Sequence, residues 1–333
     1  MSHGAKVWFA LWTVYIIWGS TYLGIELTVE TIPPIFAVAV RFVIAGSLIA
    51  GFVAWRRGFA RLRVRRVELA SAALVGLLLP GSNGLLFIAE RTVPTGLSSL
   101  IIASVPLWVV LMRVSTRDRP HLVSLGGVVL GLVGVGLLVR PGGHAGSVTG
   151  ILLVVGSAVG WAAGSFASSR LPLPDDSLTA TALEMLAGGL ALLPVGLLAY
   201  PPHELSPVHY SARSIGGFWY LVVVGSIVGY SAYAWLLANA PISQVATYAY
   251  VNPVIAVALG VLVLHEHVTA SMAAGAAVIL ASVAIVVRRE TPAEPPLDQD
   301  RTRPLRPFIR EREARLRGSD GRRRRDWAGV RRR

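Results

Sequence analysis

Apolar runs of about twenty residues, separated by short stretches rich in Pro, Gly and Arg, dominate the first 288 residues of this 333-residue chain. A bilayer core about 30 Å thick is crossed by roughly 20 helical residues at about 1.5 Å rise each. Ten segments meet that length, at 7–27, 35–55, 67–89, 93–112, 120–139, 148–168, 178–199, 214–237, 242–264 and 268–287. The fifth, sixth, eighth, ninth and tenth carry no charged residue. The first is too long for a secretory signal and lacks a small-residue cleavage site after it, so it reads as a retained helix. The pattern predicts an all-α integral membrane protein of ten transmembrane helices, with no loop long enough to be a domain.

The segments repeat. Pro94 and Pro106 lie over Pro241 and Pro253 at an offset of 147, and Arg140 and Arg288 close the two halves at 148. Earlier in each half, Arg41-Phe-Val-Ile-Ala-Gly46 lies over Glu184-Met-Leu-Ala-Gly-Gly189 at an offset of 143. The expected organisation is a first repeat over 7–140, a second over 148–288 and a tail over 289–333. Five is odd, so the second copy enters the membrane from the opposite side and the repeats are inverted. Inverted repeats place a solute path at their interface near the midplane, where rocking of the halves gives alternating access.

Charge adds an orientation. Eleven basic residues fall on one side of the expected helices (Lys6, Arg56, Arg57, Arg61, Arg63, Arg65, Arg66, Arg113, Arg117, Arg119 and Arg170) and three on the other, Arg91, Arg140 and Arg213. The positive-inside rule makes the first side cytoplasmic and puts both termini there, in the inner (plasma) membrane of a cell. From Arg288 onward, 16 Arg stand against 8 acidic residues with no apolar periodicity, the composition of a disordered cytoplasmic tail. Its role is read first as a solvated tail that helps fix topology, and second as a binder of anionic membrane lipid through Arg322–Arg325 and Arg331–Arg333. No aromatic stacking platform accompanies these arginines, so nucleic acid is not an expected partner.

Composition narrows the chemistry. Hydrophobic residues make up 54% of the chain and charged residues 15%, with a mean hydropathy of +0.61. There is no cysteine, which excludes disulfides, thiolate metal sites and cysteine nucleophiles. The seven histidines lie in termini, loops or helix ends, so Ser165, Ser168 and Ser169 have no general base placed deep in a helix, and an enzyme is not expected. No phosphate loop is present. His265-Glu266-His267 looks like a ligand cluster but occupies a tight turn with no further ligand near it in sequence, so no metal or other cofactor is expected.

The run Trp18-Gly19-Ser20-Thr21-Tyr22, Arg41-Phe42, Glu184-Met185, the segment Thr247-Tyr-Ala-Tyr-Val-Asn-Pro253 and the corner Leu264-His-Glu266 together resemble the EamA family of the drug/metabolite transporter superfamily. The resemblance covers 7–288. It implies a ten-helix permease, commonly an exporter of amino acids, other metabolites or toxic compounds, and no particular substrate. In that context Glu266 reads as an N-terminal residue of the tenth helix, favoured by the helix dipole.

Candidate residues follow from polarity inside hydrocarbon. A charge there costs about 2.5–3.5 kcal/mol, so Arg41 and Glu184 need partners or water. Arg41 reads as an anion site or gate and Glu184 as a proton or amine site, or each as a packing peg satisfied by its neighbours. Pro106 and Pro253 are mid-helix kinks that free backbone carbonyls, beside Ser98, Ser99 and Ser104. Gln244, Tyr248 and Asn252 recur at i, i+4, i+8 on one face, as a cavity wall or as interhelical hydrogen bonding. Tyr248 and Asn252 lie over the apolar Ile101 and Val105, an asymmetry that favours the cavity; Asn83 and Tyr230 show the same departure. Trp18 and Trp161 open the two repeats as cavity walls or packing residues. The glycine strings Gly127-x-x-x-Gly131 and Gly156-x-x-x-Gly160-x-x-x-Gly164 read as helix packing.

The expected function is secondary transport of a small metabolite, amino acid or drug-like solute, most readily export and with proton coupling left open. The partners are that solute and membrane lipid, with a homodimer also left open. The rival reading is a membrane scaffold or sensor acting through its basic tail, and an intramembrane enzyme ranks behind it. Deleting residues 290–333 separates the first two, because a transporter largely keeps its solute flux in proteoliposomes and a scaffold loses its function.

Overall fold

The computed structural model describes residues 2–115, 122–138, 147–240, 245 and 248–290, and the expectations for Gln244, Arg140, Pro241 and the Arg-rich tail lie outside them. All regular structure among the described residues is helical. The elements are α1 (His3–Val29), α2 (Pro34–Arg57), α3 (Arg66–Ala89), α4 (Thr95–Ile102), α5 (Val105–Ser115), α6 (Leu122–Leu138), α7 (Val148–Ser168), α8 (Ser177–Ala199) and α9 (Ala212–Tyr220). A π-helical turn (Leu221–Val228) follows, then α10 (Gly229–Asn239), α11 (Tyr248–Leu264) and α12 (Ala270–Glu290). Seven helical stretches are long and apolar enough to cross a membrane, with α4–α5 counted as one and α9 through the π turn to Tyr233 as another. Three more apolar helices, within α6, α11 and α12, are shorter among the described residues.

Local chemistry sets the ends. Pro33 and Pro34 open α2, where a missing N–H costs nothing, and Gly58 closes it at φ 83, a left-handed position that suits glycine. Ser2, Ser147, Asp176 and Ser211 cap α1, α7, α8 and α9 through side-chain oxygens. Asp176 also pairs with Arg57, tying the start of α8 to the end of α2. Large side chains on the perimeter, among them Trp8, Phe9, Trp12, Phe52, Trp55 and Leu198, face outward, as suits a protein whose solvent is lipid.

The two prolines in register behave differently. At Pro106 the helix breaks, α4 ending at Ile102 and α5 starting at Val105, and the Ser104 hydroxyl turns back to the Ile101 carbonyl at 2.6 Å. Pro253 sits within α11, which runs on through it.

Packing is reciprocal between the halves. The broadest contacts join α2 to α8 and α6 to α12, equivalent helices of the two repeats. The cross-contacts come in matched pairs: α3 on α7 mirrors α1 on α9 and α10, and α1 on α11 mirrors α7 on α4 and α5. Where α3 crosses α8, a Cβ at Gly76 would collide with the Glu184 carbonyl, and one at Gly188 with the Gly76 carbonyl. Small residues let these backbones approach.

Glu266 does not open the last helix. Thr269 caps α12 through its hydroxyl, which accepts from Met272 N at 3.2 Å. His265 at φ 56 turns the chain, and the Glu266 carboxylate instead reaches α4, accepting from Thr95 N (2.7 Å), Thr95 Oγ1 (2.9 Å) and Gly96 N (3.1 Å). A side chain at Gly260 would occupy the carboxylate's place.

Two stability measurements on purified protein check these assignments. Glu266→Ala strands the first amides of α4 and is expected to cost roughly 1.5–3 kcal/mol, the worth of hydrogen bonds to a charged acceptor, seen as a lowered unfolding midpoint. Gly76→Ala is expected to cost about 1–3 kcal/mol through overpacking, whereas Gly84→Ala, whose new methyl would meet Leu192 at 3.5 Å, changes little.

Candidate functional site

On α1, Trp18, Thr21, Tyr22 and Ile25 recur at helical spacing and turn one face toward the second half of the chain. That face lines a cavity of about 120 Å³, measured at the centres of water-sized molecules. The opposing wall comes from Tyr230 of α10 and from Tyr248, Asn252 and Pro253 of α11. Asn83 and Leu86 of α3, Ser157 and Trp161 of α7, and Ser99 and Pro106 at the α4–α5 break complete much of the rest. Helices of both repeats therefore contribute to it.

The aromatic wall is organised by Trp18. Its ring centroid lies 5.5 Å from Tyr230, 4.9 Å from Tyr233 and 5.3 Å from Tyr248, and Tyr233 and Tyr248 meet edge-on at 5.8 Å. Such edge contacts favour the observed tilts over flat stacking. Glycines make room for it: a Cβ at Gly229 would stand 2.7 Å from Trp18 Nε1, and one at Gly19 2.7 Å from Ile255. Also lining the cavity, the buried Asn252 side chain leaves its Oδ1 without a hydrogen-bond partner.

Arg41 supplies the charge. It is 5% exposed, its Nε donates to Ser226 Oγ at 3.0 Å, and its guanidinium lies 5.0 Å from the Phe42 ring and 5.9 Å from that of Phe87. No carboxylate pairs with it among the described residues, and it contributes to the cavity lining. Ser226 and the adjacent Gly225 belong to the π turn, where the wider winding brings the hydroxyl toward α2. A Cβ at Gly225 would stand 3.3 Å from Arg41 Nη2. Among the described residues the lining presents one cation, several aromatic faces and two amides.

Of the positions singled out in the sequence, Trp18, Arg41, Asn83, Pro106, Trp161, Tyr230, Tyr248, Asn252 and Pro253 all line this cavity. Gln244 lies outside the described residues. Glu184 is not among the lining residues: α8 packs it against α3, its carbonyl over Gly76, although its charge still reaches Tyr230. The sequence reading passed over Ser157, Gly225, Ser226 and Glu90. A Gly-Ser pair inside an apolar segment is a kink signal that could have drawn attention to 225–226. Glu90 stands just past the end of the third apolar run, where it passes for a loop residue. Among the described residues no three His, Asp or Glu side chains are grouped to hold a metal ion.

Comparison with known proteins places this architecture. The EamA-like transporter family matches the chain twice, at residues 6–140 and 148–288. The uncharacterized inner membrane transporter YedA of Escherichia coli (strain K12) is 36% identical over 253 residues, covering 75% of this chain and 80% of that protein. The uncharacterized transporter YvbV of Bacillus subtilis (strain 168) is 28% identical over 277 residues, 81% and 88% of the two chains. A solved crystal structure superposes with a TM-score of 0.60 over 86% of this chain and 98% of its own, at 20% identity, so the likeness is one of fold. Two family matches spanning both halves, an inner-membrane relative 36% identical over 253 residues, and a bundle of apolar helices make this chain a multi-pass membrane protein that belongs to the EamA-like transporter family.

Proposed function

We propose that the protein is a secondary transporter of a small amphipathic solute bearing an anionic group, working by alternating access between two inverted five-helix repeats. On this reading the seven long helical stretches and the three shorter apolar helices are taken as ten crossings. The reciprocal pairing of helices across the halves supports the repeat, and an odd number of crossings per repeat makes it inverted. With both termini on the Arg-rich, cytoplasmic side, export is the direction that fits the family resemblance, and a proton gradient is the driving force that needs no nucleotide site.

One observation carries the reading: a guanidinium with no carboxylate counter-ion among the described residues stands in an aromatic-walled cavity shared by both repeats. A solute carboxylate or other anion would neutralise it, and its apolar body would lie on Trp18, Tyr230 and Tyr248. Asn83 and Asn252 would take up polar groups along the solute. Glu184, packed between α8 and α3, serves the helix crossing on this reading.

Counterflow into proteoliposomes, run with a panel of amino acids, other carboxylates and neutral amphiphiles with and without a proton gradient, tests it. Arg41→Gln is expected to lower flux of carboxylate-bearing solutes roughly 10- to 100-fold, the worth of a charge-assisted bond, with partial return in Arg41→Lys. Ser226→Ala, which removes only a neutral acceptor, is expected to cost roughly two- to tenfold. Wild-type protein that moves no member of the panel in either direction overturns the transport reading.

A further inference from the structure

Glu90, the residue that closes α3, is 1% exposed, and neither of its carboxyl oxygens has a hydrogen-bond partner. Glu26 on α1 is half-buried, and its Oε2 is sealed and equally unpartnered. Glu90 stands one turn beyond Leu86 and Glu26 one turn beyond Tyr22, and residues four apart share a helix face. Leu86 and Tyr22 both line the cavity. Beside Glu90 lies Ser98, buried and also without a partner, next in sequence to the cavity-lining Ser99. The two carboxyl groups therefore sit at one end of the cavity.

Their charged and titratable surroundings are few. Glu90 is within electrostatic reach of Glu26, Glu266 and Tyr22, and Glu26 of Glu266, Glu30 and Arg213. Arg213 is engaged by Glu30 at 3.3 Å, and Glu266 is satisfied by the three donors of α4. Arg91, next along the chain, is exposed and lines a separate surface pocket with His203, Glu204 and His209. Among the described residues no cation engages Glu90, and the Ser98 hydroxyl is the one donor beside it. A carboxylate sealed from water with a single neutral hydroxyl beside it is poorly solvated, and a second carboxylate close by makes simultaneous ionisation of both less favourable still. A metal ion would need several converging oxygens, and no such group of three occurs among the described residues. A proton needs one.

We propose that Glu90 and Glu26 form a proton-binding site at the end of the solute cavity, with Glu90 holding the proton and Glu26 passing it from the surface. The exchange is a single proton transfer: the Glu26 carboxylate takes a proton from water and hands it to a Glu90 oxygen, with no other bond changed. Coupling of this site to solute movement rests on the transport reading above; the binding of the proton does not.

Infrared difference spectroscopy of the purified protein in lipid nanodiscs, recorded across a pH series, reads the site directly through the carbonyl stretch of a protonated carboxyl. Wild type is expected to show a titrating band that is lost in Glu90→Gln and retained at a displaced frequency in Glu90→Asp, with its pH midpoint moved in Glu26→Gln. A band that persists unchanged in Glu90→Gln overturns the site. In proteoliposomes, Glu90→Gln is expected to keep solute counterflow and lose accumulation driven by a proton gradient. Gradient-driven accumulation equal to wild type in that variant overturns the coupling role. Loss of the band alongside a wild type that moves no solute upholds the proton site and sinks the transport reading alone.

Discussion

A guanidinium ion cannot rest in hydrocarbon unsupported, and much of the interior of this bundle is arranged around Arg41. Its Nε is taken by Ser226, its flank by the Phe42 and Phe87 rings, and the space before it by a cavity rather than by a carboxylate. Each support comes from a different level of structure. Ser226 is in reach because α9 continues as a π turn, Phe42 is the next residue along α2, and the cavity exists because α4 breaks at Pro106 while Gly19 and Gly229 seat the aromatic wall. Closing the cavity around Arg41 would leave the charge with one neutral hydroxyl and two ring faces in place of water.

Close backbone contact is the second constraint. Lipid offers little hydrophobic drive between helices, so the crossings rely on small residues: Gly76 and Gly188 at α3–α8, Gly46 and Gly189 at α2–α8, Gly127 and Gly134 at α6–α12. The second and third of these pairs join equivalent helices of the two halves. A sequence duplicated in this way carries its own complementary surfaces.

Much of the bundle could be read in advance because a bilayer imposes simple rules. Apolar length announces a helix, prolines in register announce a repeat, and polar residues inside apolar runs announce something that needs water. Trp18, Arg41, Asn83, Tyr230, Tyr248 and Asn252 were visible on those grounds and meet around one cavity. What stayed hidden depended on three-dimensional placement. The cap that Glu266 makes on α4 spans some 170 residues of sequence and turns on a single positive φ at His265. The π turn leaves no mark on hydropathy, since all its residues are apolar or small. Glu184 lies over Arg41 by register, yet it does not line the cavity, and its backbone carbonyl packs over Gly76 of α3. Glu90 fell at a boundary, where a charged residue normally meets water.

The π turn also sets the phase of the helix that continues from it, Gly229–Asn239. In an α-helix each residue advances about 100° around the axis, and hydrogen bonds closed over five residues wind more slowly. The helix leaving Val228 is therefore rotated relative to the one that entered at Tyr220, and α10 inherits the lag. Tyr230 and Tyr233 meet Trp18 at that accumulated angle, so a length change of one residue anywhere in 221–228 would swing these two tyrosines away from Trp18 without altering either side chain.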